Sequence, residues 1–144
     1  MENNLFPFTD PQEVEVAEVE IPLAREYAYD FTKGDFKLKN GKTYTVEGNE
    51  AIKIWIEKIL LTSRYKHIIF SWMFGSEFED KIIGRGYTQG LIKAEAERYT
   101  REAINSSLAD YVISMTNFDI SFIDSTLTIA FTVKTIYGEV DIVV

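Results

Sequence analysis

A chain of 144 residues has room for one domain with a sizeable core. Hydrophobic residues make up 46% of it, which excludes a disordered polymer, and the lack of cysteine excludes disulfides, zinc–thiolate sites and cysteine nucleophiles and points to an intracellular setting. The net charge of −8 argues against a phosphate-backbone binder, and no apolar run approaches the ~20 residues that span a bilayer.

The acidity is concentrated at the start. Residues 1–30 hold eight acids against one base, Arg25, whereas the rest hold 15 acids and 14 bases. The opening MENNLFPFTD has neither the basic nor the apolar region of a secretory signal. Residues 1–22 therefore read as an acidic arm, either a solvated leader or a segment that docks on a basic partner surface. Residues 23–144 read as a single domain. Within the arm, Val14 and Val16, then Val19 and Ile21, alternate with glutamates, but Pro11 and Pro22 confine an extended segment there to an edge or a linker.

The domain opens with two strands, REYAYDF and DFKLKNGKTYTVEG. Asn40-Gly41 marks a hairpin, because both residues tolerate positive φ. Asn49 is placed to cap a helix in which Ile52, Trp55, Ile56, Ile59 and Leu60 share one face. Glu50, Lys53 and Glu57 lie opposite and are spaced to pair. Ile54 and Leu61 fall off the stripe, which suggests a second apolar neighbour. Three glycines in DKIIGRGYTQG then break the chain, and Thr88 starts a longer helix to about Ala109 with Ile92, Ala96, Tyr99, Ala103, Ile104 and Leu108 turned inward. Phe118, Ile120 and Phe122, then Leu127, Ile129, Phe131 and Val133, alternate with polar residues, so one face of these strands is expected to meet water. Turns fall at Asp124-Ser125 and Tyr137-Gly138. The order β-β-α-α-β-β-β predicts an α+β fold: two main helices packed on a mostly antiparallel sheet, with an N-terminal hairpin and a C-terminal three-strand meander.

The stretch RYKHIIFSWMFGSEFED, residues 64–80, holds the only histidine and a crowd of aromatics and acids. His67 lacks the partners of a catalytic triad, and Ser71 and Ser76 sit in no nucleophile-elbow context. One histidine and no cysteine leave a zinc site to three carboxylates, an unusual set. Glu77, Glu79 and Asp80 suit a helix start better than a glycosidase pair. GRGYTQG lacks the G-K-[ST] of a phosphate loop. No catalytic residue, cofactor site or metal site is expected. Tyr65, Trp72 and Phe74 remain open as core, as a protein-facing surface, or as walls of a small-ligand pocket.

Residues 59–84, ILLTSRYKHIIFSWMFGSEFEDKIIG, resemble a signature of the XkdS-type tail proteins of contractile phages and defective prophages. Leu60 or Leu61, Thr62, Arg64, Tyr65, Ile69, Phe70, Ser71, Trp72, Phe74, Gly75, Glu77 and Gly84 lie on that pattern. Downstream, AINSSLADYVISMTNFDISF and TLTIAFTVKTIYGEVDI are similar to the family's helix end, following strand and closing hairpin. The resemblance covers residues 45–144 and implies a baseplate wedge and sheath-initiator protein, historically labelled lysozyme-like. It implies other wedge proteins, the sheath and the tube as partners, six copies around the tail axis, and assembly in the bacterial host cytoplasm into a phage tail, prophage particle or bacteriocin. It assigns structural or interface roles to Arg64, Tyr65, Trp72, Phe74, Gly75 and Glu77, while the acidic charge and the lack of a long apolar run lead one to expect no nucleic acid and no membrane insertion. One departure stands out. Many relatives carry an arginine just after the long helix, where this chain has Asp110-Tyr111-Val112-Ile113. Independently, the C-terminal strand stays hydrophobic to its last residue. Val140, Ile142 and Val144 therefore mark either an edge open to strand addition or a plain inner strand.

Overall fold

The computed structural model describes residues 19–66, 69, 71 and 73–144. Most of the acidic arm, together with His67, Ile68, Phe70 and Trp72, lies outside the described residues.

The first part of the domain is more divided than two strands. β1 (Arg25–Tyr27), β2 (Tyr29–Asp30), β3 (Asp35–Phe36), β4 (Leu38–Lys39), β5 (Lys42–Thr43) and β6 (Thr45–Glu47) form three short antiparallel ladders, β1 with β6, β2 with β3 and β4 with β5. They meet at Ala28, whose N–H donates to the Tyr44 carbonyl at 2.9 Å and whose carbonyl accepts from the Lys37 N–H at 2.8 Å. Pairing forks there because the small, buried alanine lets three backbones converge. Beyond the fork the β4–β5 finger turns on Asn40 (φ 52°) and Gly41 (φ 73°), the two positive φ angles that a tight hairpin with right-handed twist requires.

α1 (Asn49–Leu61) follows and buries Ala51, Ile52, Ile56, Ile59 and Leu60, with Trp55 half-buried. The expected Asn49 cap does not form. Gly48 holds the cap position with φ 62°, and the Asn49 carboxamide oxygen instead accepts from the Thr135 hydroxyl in the C-terminal sheet. A tertiary bond has taken the side chain that propensity assigns to the helix end. The Glu50, Lys53 and Glu57 side chains form no ion pairs with one another among the described residues.

A four-residue helix, α2 (Phe78–Lys81), precedes α3 (Gln89–Leu108). Thr88 caps α3 by accepting from the Leu91 N–H. The inward stripe is Ile92, Ala96, Thr100, Ala103, Ile104 and Leu108, so Thr100 joins it and Tyr99 stays half-buried. Thr100 tolerates complete burial because its hydroxyl donates to the Ala96 carbonyl one turn back, at 2.7 Å.

β7 (Val112–Ile123), β8 (Thr126–Thr135) and β9 (Gly138–Val143) form an antiparallel meander in the order β7-β8-β9. Asp124 (φ 49°) and Ser125 (φ 64°) make the first turn. Met115, Ile120, Ile129, Phe131, Val133 and Ile142 are buried on one face, while Ser114, Thr116, Lys134, Glu139 and Asp141 are exposed on the other. A shift of register between Thr116 and Asp119, with Asn117 at φ 56°, accompanies Phe118 stacking flat on Phe131, ring centres 4.9 Å apart. α3 crosses β7 and α1 crosses β9, so both helices cover the apolar face. The fold is α+β, as the element order implies. No helix among the described residues is long and apolar enough to cross a membrane.

Ile104 is fully buried between α3 and its neighbours. Ile104→Ala is expected to lower unfolding free energy by ~2–5 kcal/mol, measured by urea titration.

Candidate assembly interface

The signature stretch forms a loop tied shut at its base. Thr62 ends α1, and its carbonyl accepts from the Ser76 N–H at 2.8 Å. The Arg64 N–H donates to the Ser76 carbonyl at 2.9 Å, which leaves Ser63 and Ser76 in a parallel bridge. The Ser76 hydroxyl donates to the Leu60 carbonyl, one of the helix-end acceptors without a partner inside the helix. Arg64 is only 2% exposed. Its Nε donates to the Gly75 carbonyl at 3.1 Å, and one terminal nitrogen reaches Glu102 on α3 at 2.9 Å. The guanidinium thus ties the loop base to the long helix. Gly75 sits at φ +105°, and a Cβ there would lie 2.6 Å from the Thr62 carbonyl oxygen. Only glycine fits both the angle and the space.

The acids after Gly75 belong to the same closure. Glu77 stands at the N-terminal end of α2, with Glu79 and Asp80 in its first turn. Glu79 accepts from the Ser63 hydroxyl and from Lys66 at 2.8 Å, and Asp80 lies 3.4 Å from Lys66. Phe74 packs half-buried against the core, whereas Tyr65 (φ 66°), Ile69 and Met73 are exposed on the outer part of the loop. Trp72 lies outside the described residues, so a ligand pocket beside it is likewise outside them. No group of three or more His, Asp or Glu that could hold a metal occurs among the described residues.

The second candidate surface is β9, which with β7 is one of the two outer strands of its sheet. Val144 exchanges both backbone bonds with Ile129, at 2.7 and 3.0 Å. Antiparallel pairs alternate, so the backbone groups of Val140 and Ile142 also turn toward β8, and those of Asp141 and Val143 turn away from it. Val140, Ile142 and Val144 supply the apolar side chains, with Ile142 fully buried. The outward donors and acceptors belong to their neighbours, a distinction that only the register reveals.

Val143 and Val144 border a cleft of about 720 Å³ between the sheet, α1 and the forked ladders. At the turn before β9 the sheet is tied to the first part of the chain, where Thr135 holds Asn49 and the Tyr137 hydroxyl accepts from the Ala24 N–H at 3.0 Å. Ile54 and Leu61, the two off-stripe residues of α1, line the cleft with Tyr29 and Phe31, and Leu61 is exposed there. The cleft also holds Asp30, Glu50 and Glu57; the sequence placed Glu50 and Glu57 on one helix face, but their proximity to Asp30 depends on the fold. Burial pushes the Glu57 carboxyl above its ordinary value; Lys53 and Lys37 oppose this, and Asp30 adds to it.

Two outcomes follow. Gly75→Ala and Gly41→Ala both place a side chain at positive φ, at ~1–2 kcal/mol. Only Gly75 also meets a backbone atom, so its substitution is expected to cost clearly more in denaturant titrations of the pair. Glu57 has a raised folded pKa, so its contribution to stability is present below the unfolded carboxylate value and is lost as pH rises through the folded one. Glu57→Gln is therefore expected to raise the melting temperature at neutral pH and to leave it nearly unchanged in acid.

Comparison with known proteins bears on these surfaces. The chain is similar to the phage-like element PBSX protein XkdS of Bacillus subtilis (strain 168), 28% identical over 138 residues that cover 96% of this chain and 93% of the relative. The family model for contractile injection system sheath initiators matches residues 25–138, a span that runs from β1 to the first residue of β9 and includes the closed loop. The chain belongs to the contractile injection system sheath initiator family.

Proposed function

We propose that the chain is a baseplate component that binds wedge proteins and starts the sheath by lending it the free edge of β9. The observation that carries this reading is the outward-facing backbone of Asp141 and Val143 beside an open cleft. A partner strand laid along that edge satisfies its N–H and C=O groups and continues the sheet. The apolar side chains of β9 already face α1, so the strand is rigid before the partner arrives, and less ordering entropy opposes association. The exposed Tyr65, Ile69 and Met73 on the closed loop suit a second contact, toward a wedge protein. Six copies around a tail axis would multiply such weak contacts into a stable platform. The tube is a third partner in this reading, and the particle is a phage tail, a prophage particle or a bacteriocin.

The role is structural, without catalysis or cofactor. In this reading the carboxylates of the cleft and of α2 serve folding. Purified protein is expected to show no cell-wall hydrolysis; muramidase turnover abolished by Glu57→Gln or Glu77→Gln would overturn that part. Val143→Pro tests the edge. Proline is tolerated where the N–H points away from the ladder, so the variant is expected to fold. Co-expressed with sheath and tube proteins, it is expected to support little sheath assembly by electron microscopy, whereas sheath formation at the native level would exclude strand addition at this edge.

A further inference from the structure

The forked ladders carry a cationic finger. Residues 33–42 hold Lys33, Lys37, Lys39 and Lys42 against one acid, Asp35. All four lysines are exposed, and none makes an ion pair among the described residues. Phe36 and Leu38, between them in sequence, are 47% and 62% exposed. A short hairpin that shows both unpaired ammonium groups and large apolar side chains is poorly matched to water alone.

The same chain supplies the complementary chemistry. Residues 1–18 carry five acids and no lysine or arginine, and they alternate glutamate with valine over Glu13–Val16. The root of this arm is held in place. The Tyr111 hydroxyl donates to the Pro22 carbonyl at 2.9 Å, and the Ala24 N–H donates to the Tyr137 hydroxyl. That root lies beyond the Arg25–Glu47 end of the β1–β6 ladder, whereas the finger lies past the fork at Ala28, at the opposite end. About seven residues of strand separate the two levels, roughly 20 Å. Up to Pro22 the chain runs away from its own finger.

We propose that the acidic arm of one copy docks on the lysine finger of a second copy. The arm's root and the finger sit at opposite ends of the β1–β6 ladder, so a contact between copies is head-to-tail and can link successive copies into a ring or an open chain. Opposite charges steer the encounter, and the valines of the arm meet Phe36 and Leu38. The inference stands apart from the β9 edge, which it does not use.

Sedimentation velocity on the full chain tests it. Native protein is expected to self-associate with rising concentration at low ionic strength, and less at ~1 M salt, where the Debye length is ~3 Å. Reversing the finger (Lys37→Glu, Lys39→Glu, Lys42→Glu) or the arm (Glu13→Lys, Glu15→Lys, Glu18→Lys) should leave each variant monomeric. Mixing a finger-reversed chain that has a native arm with an arm-reversed chain that has a native finger should restore pairing through the two native parts. Carbodiimide coupling of mixed ¹⁴N and ¹⁵N native chains should then give arm–finger peptides of mixed isotope as abundant as same-isotope ones. A monomeric native chain, association unchanged by either reversal, or arm–finger peptides of a single isotope only, which mark an arm folded onto its own finger, would overturn the proposal.

Discussion

A guanidinium taken almost out of water fixes how the loop after α1 meets the long helix. Burying Arg64 is costly unless its charge is paired and its donors are used. The Gly75 carbonyl and Glu102 meet that demand, and in doing so they tie the end of α1, the loop and α3 together. Glu102 is 42% exposed at its side chain, so the pair contributes less to net stability than a fully buried bond would. Its larger effect is geometric. With the loop base closed by backbone bonds and by Ser76, the outer residues Tyr65, Ile69 and Met73 are presented from a defined platform.

That platform and the one-sided sheet share a logic. α1 and α3 cover the same face of β7–β9, and the threonine- and serine-rich face is left to water. Covering a face does nothing for an edge. β9 ends the sheet with its apolar side chains satisfied and half of its backbone groups turned outward. Outward backbone groups on an outer strand are the kind that a further strand can satisfy. The cleft lies beside the end of β9, and the bonds of Asn49 to Thr135 and of Ala24 to Tyr137 tie the turn before β9 to the first part of the chain.

Charge is partitioned in the same way. The body is close to neutral, the arm is acidic and the finger is basic. Tyr111 stands just after the long helix α3. Its ring packs edge-on against Trp55 at 5.4 Å while its hydroxyl holds the arm's root at Pro22. In this chain that position works inward, on the origin of the arm. The hairpin register then carries the finger away from that origin.

Much of the architecture was readable in the residues themselves. Helical spacing placed α1 and α3, period-two alternation placed the meander and its wet face, and Asn40-Gly41 and Asp124-Ser125 placed two turns, because these signals depend on neighbours a few positions away. The run from Arg64 to Glu77 was legible as a signature but not as a mechanism. Arg64 reaches Glu102 across 38 positions, and Gly75 is required by a carbonyl on Thr62. Asn49 left its cap for Thr135 because a distant partner outweighed a local preference, whereas Thr100 entered the core on a bond to Ala96 one turn back in its own helix. Whether Val140 or Val143 offers backbone at the edge was likewise undetermined, since one step of register exchanges the two. Local periodicity therefore determined which elements this chain makes and which face each one buries. Only the tertiary structure decided which charges are paired, which backbone groups of β9 face outward and which carboxylates share a cleft, because those depend on contacts between residues far apart in the chain.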